Sequence, residues 1–272
     1  MKIDDLLYLP RFTGSLAAIN SQVRMAVTQT GLGGPLHPLV NPAVGFNLGA
    51  HVGDDVGDVQ ARREALAQWV GAPIVWLQQV HGCEVVDAGQ MADTQIQNNP
   101  APQADASLVF GSSRALAIMT ADCLPVLFVA LSEGRVLGVA AAHAGWRGLH
   151  AGVLRVCAGQ LAQRCGIRTA HIVAWLGPAI GPASFEVGSE VREAFLQRLP
   201  NSCGCFVQGT TAGKYWADLY GLARLDLADA GVSQVQGGGE DTLTDGRWFS
   251  HRRSQQKNLP AGRMATIVRL LP

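Results

Sequence analysis

Three apolar runs lie close together in the middle of the chain: Leu116–Thr120, Val126–Ala130 and Val136–Ala142. A crossover between parallel strands needs a dozen or more residues, usually a helix. Strands joined by links as short as these are expected to be antiparallel neighbours, so the sheet is mixed. Further β-branched runs predict strands at Val23–Thr28, Ile74–Gln79, Ser107–Phe110, Ile172–Leu176 and Met264–Leu270. Helical spacing appears after Asp54-Asp55 (Val59, Arg63, Leu66, Val70), after Gly148, over Glu190–Leu199 and over Asp218–Ala230. Asp54 or Asp55, and Asp218, are expected N-caps. Helices and strands alternate without a regular βαβ rhythm. No G-x-G-x-x-G follows a strand and no P-loop occurs, so a dinucleotide fold is not expected. One α+β domain over residues 1–272 is expected, with the polar segment 91–104 as a surface loop.

Composition excludes several partners. Basic and acidic side chains balance at 21 each, and the charged fraction of 15% is below the usual value of about 25%. Such a surface has no field to attract nucleic acid or an anionic membrane. The apolar stretch 115–131 is interrupted by Thr120, Asp122, Cys123 and Pro125, so no membrane span is expected. The first five residues lack the basic and apolar segments of a secretory signal, and a cytoplasmic location is expected. In a reducing compartment the six cysteines are separate thiols. Cys157 and Cys165 fall on an apolar helical pattern, while Cys203 and Cys205 lack the second half of a zinc ribbon.

Metal-ligand chemistry concentrates in three segments that each follow a predicted strand: Gln78–Gly82, Thr120–Pro125 and Ala142–Gly148. They place His81, Cys123 and His143 at strand ends. Two imidazoles and a thiolate form a recognised zinc site with its fourth position open, the arrangement of a catalytic centre. The spacing matches no short metal motif. A second chemistry stays open, in which Cys123 is a nucleophile with His143 or His81 as its base.

Six motifs, FNLGAHVGDD (46–55), QQVHG (78–82), TADCLPVLF (120–128), AAHAGWRGL (141–149), WLGPAIGPASFEVG (175–188) and FSHRR…GRMA (249–265), closely resemble one bacterial family. It is known as the YfiH-type purine nucleoside phosphorylases, and also as the laccase-domain or multicopper polyphenol oxidase family. The matches run in order from about residue 28 to the C-terminus. The resemblance implies a zinc site at His81, Cys123 and His143 and one α/β unit with mixed sheets packed between helices. It also implies phosphorolysis of adenosine, inosine and methylthioadenosine, with adenosine deamination as a second activity. Some members are linked to peptidoglycan editing, so a cysteine or zinc hydrolase of a cell-wall precursor is the alternative. Seven histidines are too few, and too poorly paired, for a trinuclear copper cluster beside the triad. Copper would be adventitious. Nucleoside and phosphate are the expected partners, and a monomer or weak homodimer the expected state.

Other residues carry two readings each. Asp122 is a general acid/base or a group that orients its neighbours. Asn47 hydrogen-bonds substrate or occupies a positive-φ turn. Arg63 and Arg147 are candidate phosphate ligands, with surface salt bridging as the alternative. Trp146 packs or stacks on a base, and Arg252 and Arg253 clamp an anion or frame the last strands. The chain departs from the family pattern at Arg62, around Gly31 and at Asp241, where the expected Cys-Thr pair reads Asp241-Thr242.

Overall fold

The computed structural model describes residues 3–34, 37–92, 101–111 and 114–272. Of the expected surface loop, residues 93–100 lie outside the described residues. Fourteen strands among the described residues form three sheets. The first runs β1 (Leu7–Tyr8), β2 (Val23–Thr28), β14 (Met264–Leu270), β6 (Ala115–Thr120), β3 (Ile74–Val75). The second runs β13 (Gln234–Gly237), β9 (Ile172–Leu176), β7 (Leu124–Ser132), β8 (Arg135–Ala144), β5 (Ala106–Val109), β4 (Val85–Asp87). A small antiparallel sheet holds β10 (Glu186–Gly188), β12 (Lys214–Ala217) and β11 (Phe206–Gln208). Both large sheets are mixed, with parallel pairing at β3–β6, β13–β9 and β4–β5.

Period-two alternation sorts each strand between two cores. Leu116 and Ile118 of β6 meet Leu127 and Val129 of β7 and Val139 of β8, so the two large sheets pack face to face. The opposite residues of β6, Ala115 and Ala117, pack with Leu66 and Val70 of helix Val56–Val70. Leu124, Val126 and Phe128 pack instead with Leu154 and Leu161 of helix Val153–Cys165 and Leu222 of helix Leu219–Asp229. Layers therefore follow the order helix, sheet, sheet, helix. Strands buried on both faces read as continuous apolar runs rather than alternating ones. Full burial of each such Leu, Ile or Phe side chain contributes about 1.5–3 kcal/mol.

One expectation is corrected. β7 and β8 are antiparallel neighbours, but β6 pairs with β14 and β3 in the other sheet. The link Ala121–Cys123 therefore crosses between sheets instead of turning a hairpin. The strand expected at Ile74–Gln79 ends at Val75, beyond which Gln78 keeps a single bridge to Gln103. The helix expected after Gly148 begins at Trp146 and breaks at Gly152, whose φ of 95° ends its first segment, Trp146–Ala151. Asp55, not Asp54, caps helix Val56–Val70 by accepting the Asp58 N–H, and Asp218 caps helix Leu219–Asp229. No helix among the described residues is long and apolar enough to cross a membrane.

Candidate metal centre and its cavity

The sheet-crossing link sets one side of the site. Asp122 takes a left-handed φ of 88°, and its backbone carbonyl accepts the Ile180 N–H. One of its carboxylate oxygens accepts the Thr242 hydroxyl at 2.7 Å, the other the Arg252 N–H at 2.8 Å. Asp122 thus braces the link from which Cys123 projects, and both its oxygens are engaged away from the cavity lining. Thr242, which follows the departure at Asp241, supplies part of that brace. Asp241 beside it accepts from Ser184 and from the Gly181 and Leu243 N–H groups.

His81 also has a left-handed φ, 62°, which a residue with a Cβ adopts only when its surroundings hold it. The holding group is Asp105, which sequence reasoning missed. Its buried carboxylate accepts the backbone N–H groups of Val80 (3.1 Å), His81 (2.9 Å) and Gly82 (2.7 Å). The same carboxylate bonds His143 Nδ1 at 2.8 Å. One side chain therefore fixes the loop of one imidazole and the ring of another. A lone acid between alanines at the start of an apolar strand was the only trace of it in the sequence.

His81, Cys123 and His143 converge: one ligand atom from each lies within 4.8 Å of the others. Cys123 Sγ is 3.8 Å from His81 Nε2, close to the separation of about 3.5 Å that a sulfur and a nitrogen ligand adopt around tetrahedral zinc. The two imidazole rings meet edge to face, with centroids 4.7 Å apart. Gly145 leaves the space clear, since a Cβ there would lie 2.9 Å from both Cys123 Sγ and His81 Cδ2. With Nδ1 bound to Asp105, His143 presents Nε2 as its free ligand atom. The donor set and its spacing fit a metal ion.

Burial alone would raise the Cys123 thiol, but His143 and His81 outweigh it and bring the thiol down to about 6. For His143, burial would lower the imidazole, but the Cys123 thiolate and Asp105 raise it. Asp105 is held below the ordinary carboxylate range because the hydrogen bonds from His143 and the Gly82 backbone overcome its burial. The group is arranged to carry a thiolate beside cationic or metal charge.

The trio stands at one part of a cavity of about 1020 Å³ that runs along helix Val56–Val70. Arg63, Arg263, His51, Trp76 and Met119 line it. Arg63, expected as a phosphate ligand or a surface ion pair, lines the cavity. Arg147 does not line the cavity: it is exposed, with its guanidinium 4.5 Å over the Trp146 ring, while Trp146 packs on the helix-side core. Asn47 is fully buried and also outside the lining. Its amide bonds Gly49 in both directions, Asp54 and the Arg263 N–H, and its φ is not positive. Arg62 is buried and ion-paired with Asp54 at 2.5 Å, so this departure serves the scaffold. Arg253 donates to the carbonyls of Thr242, Leu243, Asp245 and Trp248, and Arg252 to that of Glu186 in β10, so both guanidinium groups are engaged with backbone carbonyls.

Residues 28–271 match the family described as multi-copper polyphenol oxidoreductase laccase. The chain belongs to this family. Among the laccase-family relatives, a Pseudomonas aeruginosa purine nucleoside phosphorylase is 43% identical over 228 residues, covering 84% of this chain and 86% of its own. The Escherichia coli purine nucleoside phosphorylase YfiH is 42% identical over 255 residues, covering 90% and 93%. A Neisseria meningitidis structure of the same fold, NMB0706, aligns with a TM-score of 0.81 at 36% identity, covering 98% of this chain and 100% of that one. Despite the copper in the family's name, the described residues offer one group of three or more potential His, Cys, Asp or Glu ligands. His37, His51, His150, His171 and His251 form no second cluster among them.

Proposed function

We propose that the chain is a zinc-dependent purine nucleoside phosphorylase that cleaves adenosine, inosine and methylthioadenosine. The observation that carries this reading is the convergence of His81, Cys123 and His143 at a cavity with a cationic wall. The names of the relatives at 42–43% identity supply the reaction class. Two imidazoles and one thiolate suit zinc, and copper at the same ligands would be adventitious. Residence in the cytoplasm, as a monomer or weak homodimer, belongs to the same proposal.

In phosphorolysis an oxygen of phosphate bonds to C1′ as the bond from C1′ to the purine nitrogen breaks. The electron pair leaves with the purine, and the proton carried in by phosphate ends on the base. The sugar passes through an oxocarbenium-like state while negative charge grows on the leaving purine. A bound zinc ion supplies Lewis acidity at that charge. The chain's own groups hold the ligand set: Asp105 fixes the His143 ring and the His81 loop, and Asp122 braces the Cys123 link. Adenosine deamination is proposed for the same trio: His81, Cys123 and His143 would hold a zinc ion that supplies an activated water for attack at C6 of the purine, with ammonia as the leaving group.

Cys123→Ala tests the shared site. It should remove the metal, phosphorolysis and deamination together. Survival of either activity in metal-free C123A protein would contradict a common centre.

A further inference from the structure

A second set of groups converges beside the metal trio, on the segment 47–51. Leu48 O accepts both Nε and Nη2 of Arg63, at 3.0 and 2.8 Å, and the Arg63 guanidinium lies 4.3 Å from the centroid of the Trp76 ring. Asn47 Oδ1 accepts the Arg263 N–H at 2.8 Å. The Arg263 stem passes so close to Gly49 that a Cβ there would lie 2.8 Å from its Cγ. His51 follows two residues on. It lines the same cavity while remaining partly exposed, and its imidazole is pushed toward the neutral form by its partial burial and by the charges of Arg263 and Arg63.

The nearby carboxylates are committed elsewhere. Asp54 is taken by Arg62 and Asn47, and both oxygens of Asp122 by Thr242 and Arg252. Glu64, in the cavity lining, is exposed and bonds Gln60. Among the described residues neither Arg63 nor Arg263 has an ion-pair partner. The pKa of Arg63 is lowered by burial alone, and at Arg263 burial outweighs the charges of Cys123 and Asp122. Half-buried guanidinium groups without an ion-pair partner are costly unless a ligand anion completes them. Guanidinium forks suit tetrahedral oxyanions, and charge-assisted hydrogen bonds to them are strong.

We propose that Arg63, Arg263 and His51 form an oxyanion subsite that takes inorganic phosphate next to the His81–Cys123–His143 trio. The assignment rests on the phosphorolysis reading for its role, and on the unpaired arginines for its place. Arg263 and His51, rather than Arg147, complete the subsite with Arg63. Asn47 is a positioning residue that holds the Arg263 backbone without touching the anion.

Titration of the metal-containing protein with inorganic phosphate tests this, by calorimetry and by tryptophan emission. One phosphate should bind per chain and change the Trp76 signal, and Trp76→Phe should remove that change. Arg63→Gln and Arg263→Gln should each weaken phosphate binding about ten- to hundredfold. Metal content and the KM for nucleoside should stay within about twofold, and Arg263→Lys should recover part of the loss. Phosphate affinity unchanged in both glutamine variants, with phosphate still required for turnover, would overturn the subsite and leave the proposed function standing. Arginine-dependent phosphate binding in a protein that cleaves nucleoside equally well without phosphate would overturn the function and leave the subsite standing. A nucleoside 5′-monophosphate that displaces phosphate, binds tighter and shows the same arginine dependence would overturn inorganic phosphate as the occupant. The Trp76 emission of the unaltered protein decides the matter should the arginine variants fail to fold: no phosphate-induced change contradicts the subsite.

Discussion

Asp105 and His143 are joined twice. Asp105 Oδ1 lies 2.8 Å from His143 Nδ1, and the Asp105 carbonyl accepts the His143 backbone N–H at 2.7 Å. The same carboxylate anchors the His81 loop, so one residue sets two of the three proposed ligands. Removing its charge should therefore loosen the metal centre more than the fold. Asp105→Asn is expected to weaken metal affinity about 10- to 100-fold, measured by competition with a chromophoric chelator. Its cost to the stability of metal-free protein should be about 1–3 kcal/mol. Unchanged metal affinity would show that Asp105 does not orient the ligands.

The reactivity of Cys123 separates a metal ligand from a nucleophile. Alkylation follows the thiolate, and an ordinary thiol ionises near pH 8.5. Because the Cys123 thiol is lowered to about 6, iodoacetamide should modify it in metal-free protein with half-maximal rate near that pH, and the rate should fall below it. Zinc should protect the residue throughout. Rapid alkylation of the zinc-loaded protein with loss of activity would instead favour the cysteine-hydrolase reading.

Asn47 makes four hydrogen bonds from a buried position, to Gly49 N and O, Asp54 and Arg263 N. Asn47→Ala leaves these partners without an acceptor or donor. Stability should fall by about 1–3 kcal/mol in urea unfolding. Because Asn47 lies outside the lining, the loss should appear as a shift of the unfolding midpoint at every phosphate concentration. A variant of full stability that has lost only nucleoside affinity would return Asn47 to the role of substrate contact.

Much of this architecture was legible in the sequence, and the exceptions have physical causes. Val23–Thr28, Ile172–Leu176 and Met264–Leu270 are strands to the residue, because β-branched and other apolar side chains dominate strands that are buried along most of their length. Helix His251–Lys257 was not foreseen: it buries no residue and so carries no apolar period. The small sheet was missed because its strands span three or four residues each and are partly exposed. The three candidate ligands were visible by residue type, each close after a predicted strand. Asp105 was not, since its partner His143 is 38 positions away and only the fold brings them together. The direction of Asp122 was equally hidden, because alternation along an extended strand gives no guide at a left-handed φ. Arg62 and Arg63 are adjacent on one helix, yet one is sealed against Asp54 and the other faces the cavity, a division that only the packing reveals.

The central claim is that the His81–Cys123–His143 centre drives phosphorolysis rather than hydrolysis. Following adenosine and inorganic phosphate with the metal-loaded protein by phosphorus-31 NMR tests it most directly. The account predicts a ribose 1-phosphate signal that grows in step with free adenine, and no base release when phosphate is omitted. Adenine release accompanied by free ribose, at a rate indifferent to phosphate, would contradict it.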